Sequence, residues 1–274
     1  MNYQGNEYSK TYYYVHTGHR IGLDRFRRAS AIIKSLNADI TLLSSDYRIA
    51  QVAYKYGIEK AVGVDVVRNI PQIAKNGDNL ILDSDEANPI MLEDMKQYFS
   101  TFLHLKNDSV AVDEQFFNAK DEKTVKLTYF FGDDDYEKDL EKNIDFIAEL
   151  KPHLQLGFYY FLDYEDALRE KFENCYDFEE YEEMILETEV LITCSPQAVL
   201  DSLASGGKPI YVKREDYIHD MDELFKKLNI PIILNYNKSD LNVILKSIFK
   251  RKYGDLADKS NITKKNIKEE LNLN

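Results

Sequence analysis

The chain has 274 residues, of which 44% are hydrophobic and 30% charged, and its formal net charge is −13 at pH 7. This length allows one large domain or two ordinary ones, each with a hydrophobic core. The acidic balance argues against a general binder of nucleic acids or anionic membranes, because phosphate backbones are held by many Lys and Arg side chains.

Three further patterns indicate a cytoplasmic protein. The two cysteines, Cys175 and Cys194, have neither a metal-ligand spacing nor the pattern of a disulfide framework. The N-terminal residues do not read as a signal peptide, and no apolar run approaches the length of about 18 residues that a membrane span needs. We therefore expect a protein without a membrane span in a reducing compartment.

The first half of the sequence alternates short apolar runs with amphipathic stretches, which is typical of a parallel sheet covered by helices. One predicted strand is followed by Asp83, Asp85 and Glu86, which can be metal ligands or general bases, or caps and solvated loop charges. We predict strands at residues 11–17, 39–45, 61–67, from 79 and at 101–105, and helices at 25–36, 47–58 and from 89.

Basic side chains are concentrated in residues 16–28 of this acidic chain. A basic, glycine-punctuated loop that runs into a helix can hold a phosphate or a sugar phosphate, because amides, helix dipole and guanidinium groups converge there. The alternative is that these arginines pair with surrounding acids. The window contains His16, His19, Arg20, Arg25, Arg27 and Arg28 against one acid, Asp24.

Residues 107–123 lose the periodicity and gain charge, which predicts a domain boundary. We expect an N-terminal domain at 1–115, a C-terminal domain at 116–252 and a polar tail at 253–274 that forms a marginal or frayed helix. In the second domain, Asp133–Asp135 follow Gly132, where we expect them to cap a helix and repel anions. We predict strands at 126–131, 154–162, 189–194, 208–213 and 231–235. We predict one helix that ends at residue 150 and further helices at 178–188, 196–204, 214–230 and 242–249.

The stretch TCSPQAVLDSLASGGKP, residues 193–209, joins a strand to a helix. Ser195 and Pro196 form the start of that helix, and we expect the N–H groups of residues 195–198 to be free to hold an anion. Asp201, about two turns along, is in a position to reach a ribose hydroxyl. Taken alone, the pattern is also that of any α/β domain, in which such an Asp faces water.

Three segments resemble known families. Residues 186–209 resemble the C-terminal signature of the GT-B nucleotide-sugar enzymes, with Gly206-Gly207 where one glycine is usual and Asp201 where Glu is commoner. Gly18-His19 resembles the GxGHxxR segment of the PseG/SpsG group, although position 22 is Gly instead of Arg. Gly132 followed by Asp resembles the GGxD turn that opens the second domain.

The resemblance implies an α/β, GT-B-like fold: two Rossmann-like, doubly wound domains facing across a cleft. It implies a nucleotide-sugar hydrolase or glycosyltransferase of surface-glycan biosynthesis, with His19 as the catalytic base and no metal or cofactor besides the substrate. The alternative is a non-catalytic GT-B-like binding or assembly protein. The residues expected to bind the substrate are Gly18, Arg20, Arg25, Arg28, Gly132, Ser195, Gln197, Ala198 and Asp201.

Overall fold

The computed structural model describes residues 9–119, 122–214, 221–234 and 238–273. The start of the predicted helix 214–230 and the end of the predicted strand 231–235 lie outside these residues. The strands are β1 (Thr11–Val15), β2 (Ile40–Ser44), β3 (Ala61–Gly63), β4 (Asn79–Asp83), β5 (Thr101–His104), β6 (Val125–Phe130), β7 (His153–Gln155), β8 (Cys175–Tyr176), β9 (Thr188–Thr193), β10 (Lys208–Val212) and β11 (Ile232–Ile233).

Helices alternate with these strands along the chain. The α-helices are α1 (Asp24–Leu36), α2 (Tyr47–Val52), α3 (Pro89–Tyr98), α4 (Glu114–Phe117), α5 (Asp139–Ala148), α6 (Leu162–Lys171), α7 (Tyr181–Glu187), α8 (Pro196–Ala204), α9 (Asp222–Lys227), α10 (Lys238–Ser247) and α11 (Ala257–Glu270). Short 3-10 helices cover Ala53–Tyr56, Val67–Gln72, Phe178–Glu180 and Ile248–Lys250.

The strands form two parallel sheets. The first has the order β3-β2-β1-β4-β5, and the second has the order β11-β10-β9-β6-β7-β8. In each sheet the chain starts near the centre, winds outward in one direction and then returns to wind in the other. The strand order therefore reverses between β1 and β4 and between β6 and β9, which is the doubly wound, Rossmann-like topology.

Both faces of the first sheet are buried. Tyr13 and Val15 of β1 pack with α1, whereas Tyr12 and Tyr14 belong to a separate core on the opposite face. A parallel strand covered on both sides has few polar positions, because each face is covered by helices. This arrangement explains the near-continuous apolar run that the sequence shows at β1.

The C-terminal segment forms a 14-residue helix, α11, where we expected a helix that is marginal or frayed. Ile267 and Leu271 are buried in the core of the first domain. In addition, Ser260 Oγ accepts a hydrogen bond from the Val112 amide at 3.1 Å. The apolar face of α11 was not evident in the sequence, because its few buried apolar residues are surrounded by Lys and Asn. The end of the chain thus returns to the first domain, and our domain boundaries stay a prediction.

The segment after β7 was also predicted wrongly, since residues 156–161 are a loop and not the rest of a strand. A Cβ atom at Gly157 would lie 2.5 Å from the Gly132 carbonyl oxygen. The Tyr159 amide donates to the Asp133 carbonyl at 2.8 Å. This loop therefore turns away from the sheet and packs against the loop that follows β6.

The two glycines after α8 have different roles. Gly206 has φ 81° and ends the helix in the left-handed region, which favours glycine. At Gly207 a Cβ atom would lie 2.5 Å from Ser202 Oγ and 2.9 Å from the Ser202 carbonyl oxygen. The first glycine turns the chain, and the second allows β10 to begin close against α8.

Candidate functional site

A cavity lies between the two domains, beyond the carboxyl ends of β6 and β9. Gly132 and Ser195 line it from the second domain, and Arg20 and Asp24 line it from the first. This is the point where the strand order of the second sheet reverses, the usual ligand position in doubly wound folds. The cavity measures about 20 Å³, which is room for about one water molecule. We call it the interdomain cavity.

The loop between β1 and α1 reaches the interdomain cavity through a tight turn. The amides of Ile21 and Gly22 both donate to the Gly18 carbonyl, at 3.1 and 2.9 Å. Gly22 has φ 72°, and Arg20 has φ 66°, which is uncommon for a residue with a side chain. The turn places Arg20 at the cavity wall, where it also pairs with Glu137 at 2.6 Å. A strained residue at this position is consistent with a functional loop.

His19 contacts the second domain. Its Nδ1 lies 3.2 Å from Asp134 Oδ1, and the side chains of His19 and Asp134 are 40% and 3% exposed. The rings of Tyr159 and Phe161 lie 5.1 and 5.7 Å from the imidazole centroid. A carboxylate on Nδ1 favours the tautomer that keeps its proton there, which leaves Nε2 as a proton acceptor. The pair has the arrangement of an oriented general base, and its acid, Asp134, lines the cavity.

Two of the predicted substrate-binding arginines bind acids at the carboxyl end of β4. Arg28 donates two hydrogen bonds to Asp83, at 3.0 and 2.5 Å. Arg25 donates to Asp85 at 2.9 Å, and this bond holds the pKa of the Asp85 carboxyl below its usual range. For Arg25 and Arg28 the structure therefore favours the alternative of local ion pairing, and their role in substrate binding stays a prediction.

Arg27 joins the two domains. Its guanidinium forms a two-bond pair with Asp133, with Nη2 2.8 Å from Oδ1, and the two side chains are 4% and 1% exposed. The guanidinium carbon also lies 3.7 Å from the ring centroid of Tyr181. Asp133 thus binds an arginine instead of capping α5. Among the three aspartates the cap is Asp135, which accepts from two amides at the start of α5, at 2.7 and 3.1 Å.

The N-terminus of α8 is occupied by Asp24. Ser195 Oγ donates to Asp24 Oδ1 at 2.5 Å, and the Gln197 amide donates to Oδ2 at 3.4 Å. The Ala198 amide donates to Ser195 Oγ at 3.1 Å, and the Ser195 amide donates to Thr193 Oγ1 at 3.0 Å. Our expectation of free N–H groups was therefore wrong: each of these donors has an internal partner.

Asp201 faces the protein interior, with 2% of its surface exposed. It accepts hydrogen bonds from Tyr181 Oη and from Gln197 Nε2, both at 2.8 Å. Burial raises the pKa of its carboxyl to about 7. The Gln197 side chain also donates to the Ala111 carbonyl at 3.0 Å. In this arrangement Asp201 holds α8 against α7 through its hydrogen bond to Tyr181. Contact between Asp201 and a ribose stays a prediction, and it requires α7 and α8 to rearrange.

Of the predicted site residues, Arg20, Gly132 and Ser195 line the interdomain cavity, whereas Gly18 and His19 are not part of its lining, and the roles of all five stay a prediction. Sequence reasoning missed several neighbours. The missed residues are Asp24, Arg27, Asp133 and Asp134 as contacts between domains, and Arg214, which lines the cavity and donates to the Asp134 carbonyl at 2.8 Å. Arg214 follows the carboxyl end of β10, and this position was the one available signal.

Within residues 9–119, 122–214, 221–234 and 238–273, His, Cys, Asp and Glu side chains nowhere form a group of three or more suited to a metal ion. Likewise, none of the helices in the described part of the chain is both long and apolar enough to cross a membrane.

Comparison of the sequence with protein-family models and with curated proteins finds no match. Solved structures do match. UDP-GlcNAc 2-epimerase from Methanocaldococcus jannaschii, in complex with UDP-GlcNAc and UDP, is 11% identical, with a TM-score of 0.54 over 92% of this chain and 98% of that chain. The enzyme from Neisseria meningitidis, bound to UDP-GlcNAc, is 9% identical, with a TM-score of 0.54 over 97% and 100%.

A third structure, Anabaena HepE in complex with UDP, is 10% identical, with a TM-score of 0.54 over 96% of this chain and 100% of that chain. At this identity the likeness establishes the fold. The fold class predicted from the sequence is thereby confirmed: the chain has a GT-B-like α/β fold, with two parallel sheets and alternating helices.

Proposed function

We propose that the chain binds a nucleotide sugar at the interdomain cavity and acts at the anomeric carbon as a hydrolase or a glycosyltransferase. The observation that carries the proposal is the position of the cavity, at the reversal of strand order beside the N-terminus of α8. The solved structures in complex with UDP or UDP-GlcNAc have the same fold, and this supports the choice of ligand.

The residues around the cavity have chemistry suited to this reaction. His19 would take a proton on Nε2 from water or from an acceptor hydroxyl, while Asp134 holds Nδ1. The nucleophile's oxygen then bonds to the anomeric carbon, and the bond from that carbon to the diphosphate oxygen breaks. The electron pair leaves with the nucleotide diphosphate, whose charge the N-terminus of α8 and Arg20 would stabilise.

Binding requires the domains to separate. Small-molecule sites typically measure roughly 300–1,000 Å³, whereas the interdomain cavity measures about 20 Å³. The contacts that would have to yield are those between α1 and the second domain, above all the contact of Asp24 with Ser195. Domain closure around a ligand is a common motion of two-domain enzymes.

Thermal shift with UDP-, GDP-, CMP- and dTDP-sugars tests the proposal. At least one should raise the unfolding temperature at millimolar concentration, and the same compound should lose its nucleotide on incubation with enzyme. His19→Ala should keep the thermal shift and lose turnover. A flat response to the whole panel by folded protein would contradict the proposal.

The second candidate is a non-catalytic protein with this fold, in which the cleft is a permanent interface. The internal partners of the α8 donors and the buried Arg27–Asp133 pair favour it. Because this candidate predicts that the cleft never opens, it predicts no thermal shift with any compound of the panel, whereas the enzyme should show both a thermal shift and turnover with at least one. The resemblance to the PseG/SpsG group favours the enzyme and a role in the biosynthesis of surface glycans.

A further inference from the structure

Asp24 is the one acid in the basic window 16–28, and it is the first residue of α1. From the first domain, its carboxylate reaches the start of a helix in the second. There it takes one hydrogen bond from the Ser195 hydroxyl and one from the Gln197 amide. These are the two kinds of donor that bind anions at helix N-termini.

The contact joins two elements that face each other across the cleft. α1 and α8 pack directly together, and Arg27, one turn after Asp24, binds Asp133 on the same side of α1. Asp24 Oδ1 lies 3.9 Å from Arg27 Nη1. The start of α1 is thus held to the second domain by two side chains: Asp24 binds α8, and Arg27 binds Asp133 in the loop after β6.

We infer that the Asp24 carboxylate occupies the place of the ligand's phosphate at the N-terminus of α8. The ligand must displace Asp24 from this position for the cleft to open. The inference rests on the proposed function. A diphosphate carries more charge and more acceptor atoms than a carboxylate, so it competes effectively for the Ser195 hydroxyl and the Gln197 amide. The ligands of this class are inorganic diphosphate and nucleoside diphosphates, free or sugar-linked.

Competition with Asp24 lowers the apparent affinity for the ligand. Only the fraction of protein molecules in which Asp24 has left the N-terminus of α8 can bind the ligand. Burial raises the pKa of the Asp24 carboxyl. Asp24→Asn removes the charge and one acceptor oxygen while keeping the side-chain shape. Since it weakens one charged hydrogen bond, the variant should bind diphosphate roughly 10- to 100-fold more tightly than the wild type.

The experiment compares UDP and inorganic diphosphate binding by calorimetry to the wild type, Asp24→Asn and a matched control. The control is Asp39→Asn, because Asp39 lies in the connection between α1 and β2, pairs with Lys60 and is exposed. The control removes the same charge without touching α8. Amide hydrogen exchange at Gln197, without ligand, gives a second readout: it should be faster in Asp24→Asn than in the control.

Tighter binding by Asp24→Asn alone, with faster Gln197 exchange, supports the inference. If the wild type binds and Asp24→Asn binds no more tightly, the inference fails while the proposed function stands. If the three proteins are folded and none binds any nucleotide, the proposed function fails and the inference with it. Should Asp24→Asn not fold, Asp24→Ser keeps a short polar residue at the start of α1 and takes its place.

Discussion

Removal of one partner of the Arg27–Asp133 pair should cost more stability than removal of one partner of an exposed ion pair such as Lys171–Asp145. Both side chains are buried, at 4% and 1% exposure, so removal of one partner leaves a charge without compensation. Breaking a buried pair in this way costs about 3–5 kcal/mol. Arg27 also stacks on Tyr181 at 3.7 Å, which adds about 1–2 kcal/mol. Arg27→Met should therefore destabilise more than Asp133→Asn.

The assay is urea unfolding followed by far-ultraviolet circular dichroism for the two single variants and for Arg27→Met/Asp133→Leu. The double variant should recover much of the loss, because an apolar pair replaces two buried charges. Lys171→Met is the matched control, since Lys171 pairs with Asp145 at the surface, at 53% and 86% exposure, and such pairs contribute about 0–1 kcal/mol. Single variants of Arg27 and Asp133 that cost no more than the control would refute the reasoning.

Three further predictions follow from single contacts. Gly207→Ala should cost about 1–3 kcal/mol by chemical denaturation, because its Cβ would lie 2.5 Å from Ser202 Oγ. Burial raises the pKa of Asp201 to about 7, against about 4 when unfolded, so its contribution to stability is full below about pH 4 and is lost as the pH rises to about 7. The difference in unfolding free energy between Asp201→Asn and the wild type should therefore shift in favour of the variant between pH 5 and pH 8. The same difference at both pH values would contradict this. His19→Ala should lower release of nucleotide diphosphate by about 10²–10⁴-fold and Asp134→Asn by less, with ligand binding retained in both; normal turnover in His19→Ala would exclude it as the base.

The periodicity of the sequence predicted most strands and helices, because burial on both faces makes β1 and β9 near-continuous apolar runs. The start of α8 was also predicted, since Ser195 followed by Pro196 is a local signal that needs no tertiary contact. By contrast, the anchors Ile267 and Leu271 of α11 are too sparse to stand out in a polar segment.

The partners of charged groups could not be predicted. Asp24 and Ser195 are 171 residues apart in the sequence, and Arg27 and Asp133 are 106 apart. A count of charges identified a basic window but not which acids would meet it. The window allowed two interpretations, an anion site or local pairing with acids, and several of its arginines bind carboxylates of this chain. These pairs form only when the chain folds, which brings α1 against α8, the loop after β6 and the carboxyl end of β4.

The most direct test of ligand binding between the domains is amide hydrogen exchange, read by mass spectrometry, with UDP, GDP, CDP and dTDP at saturating concentration. We expect at least one nucleotide to change exchange in three segments from both domains: residues 18–24, 132–134 and 194–198. Unchanged exchange in all three segments with every nucleotide, in folded protein, would contradict the account.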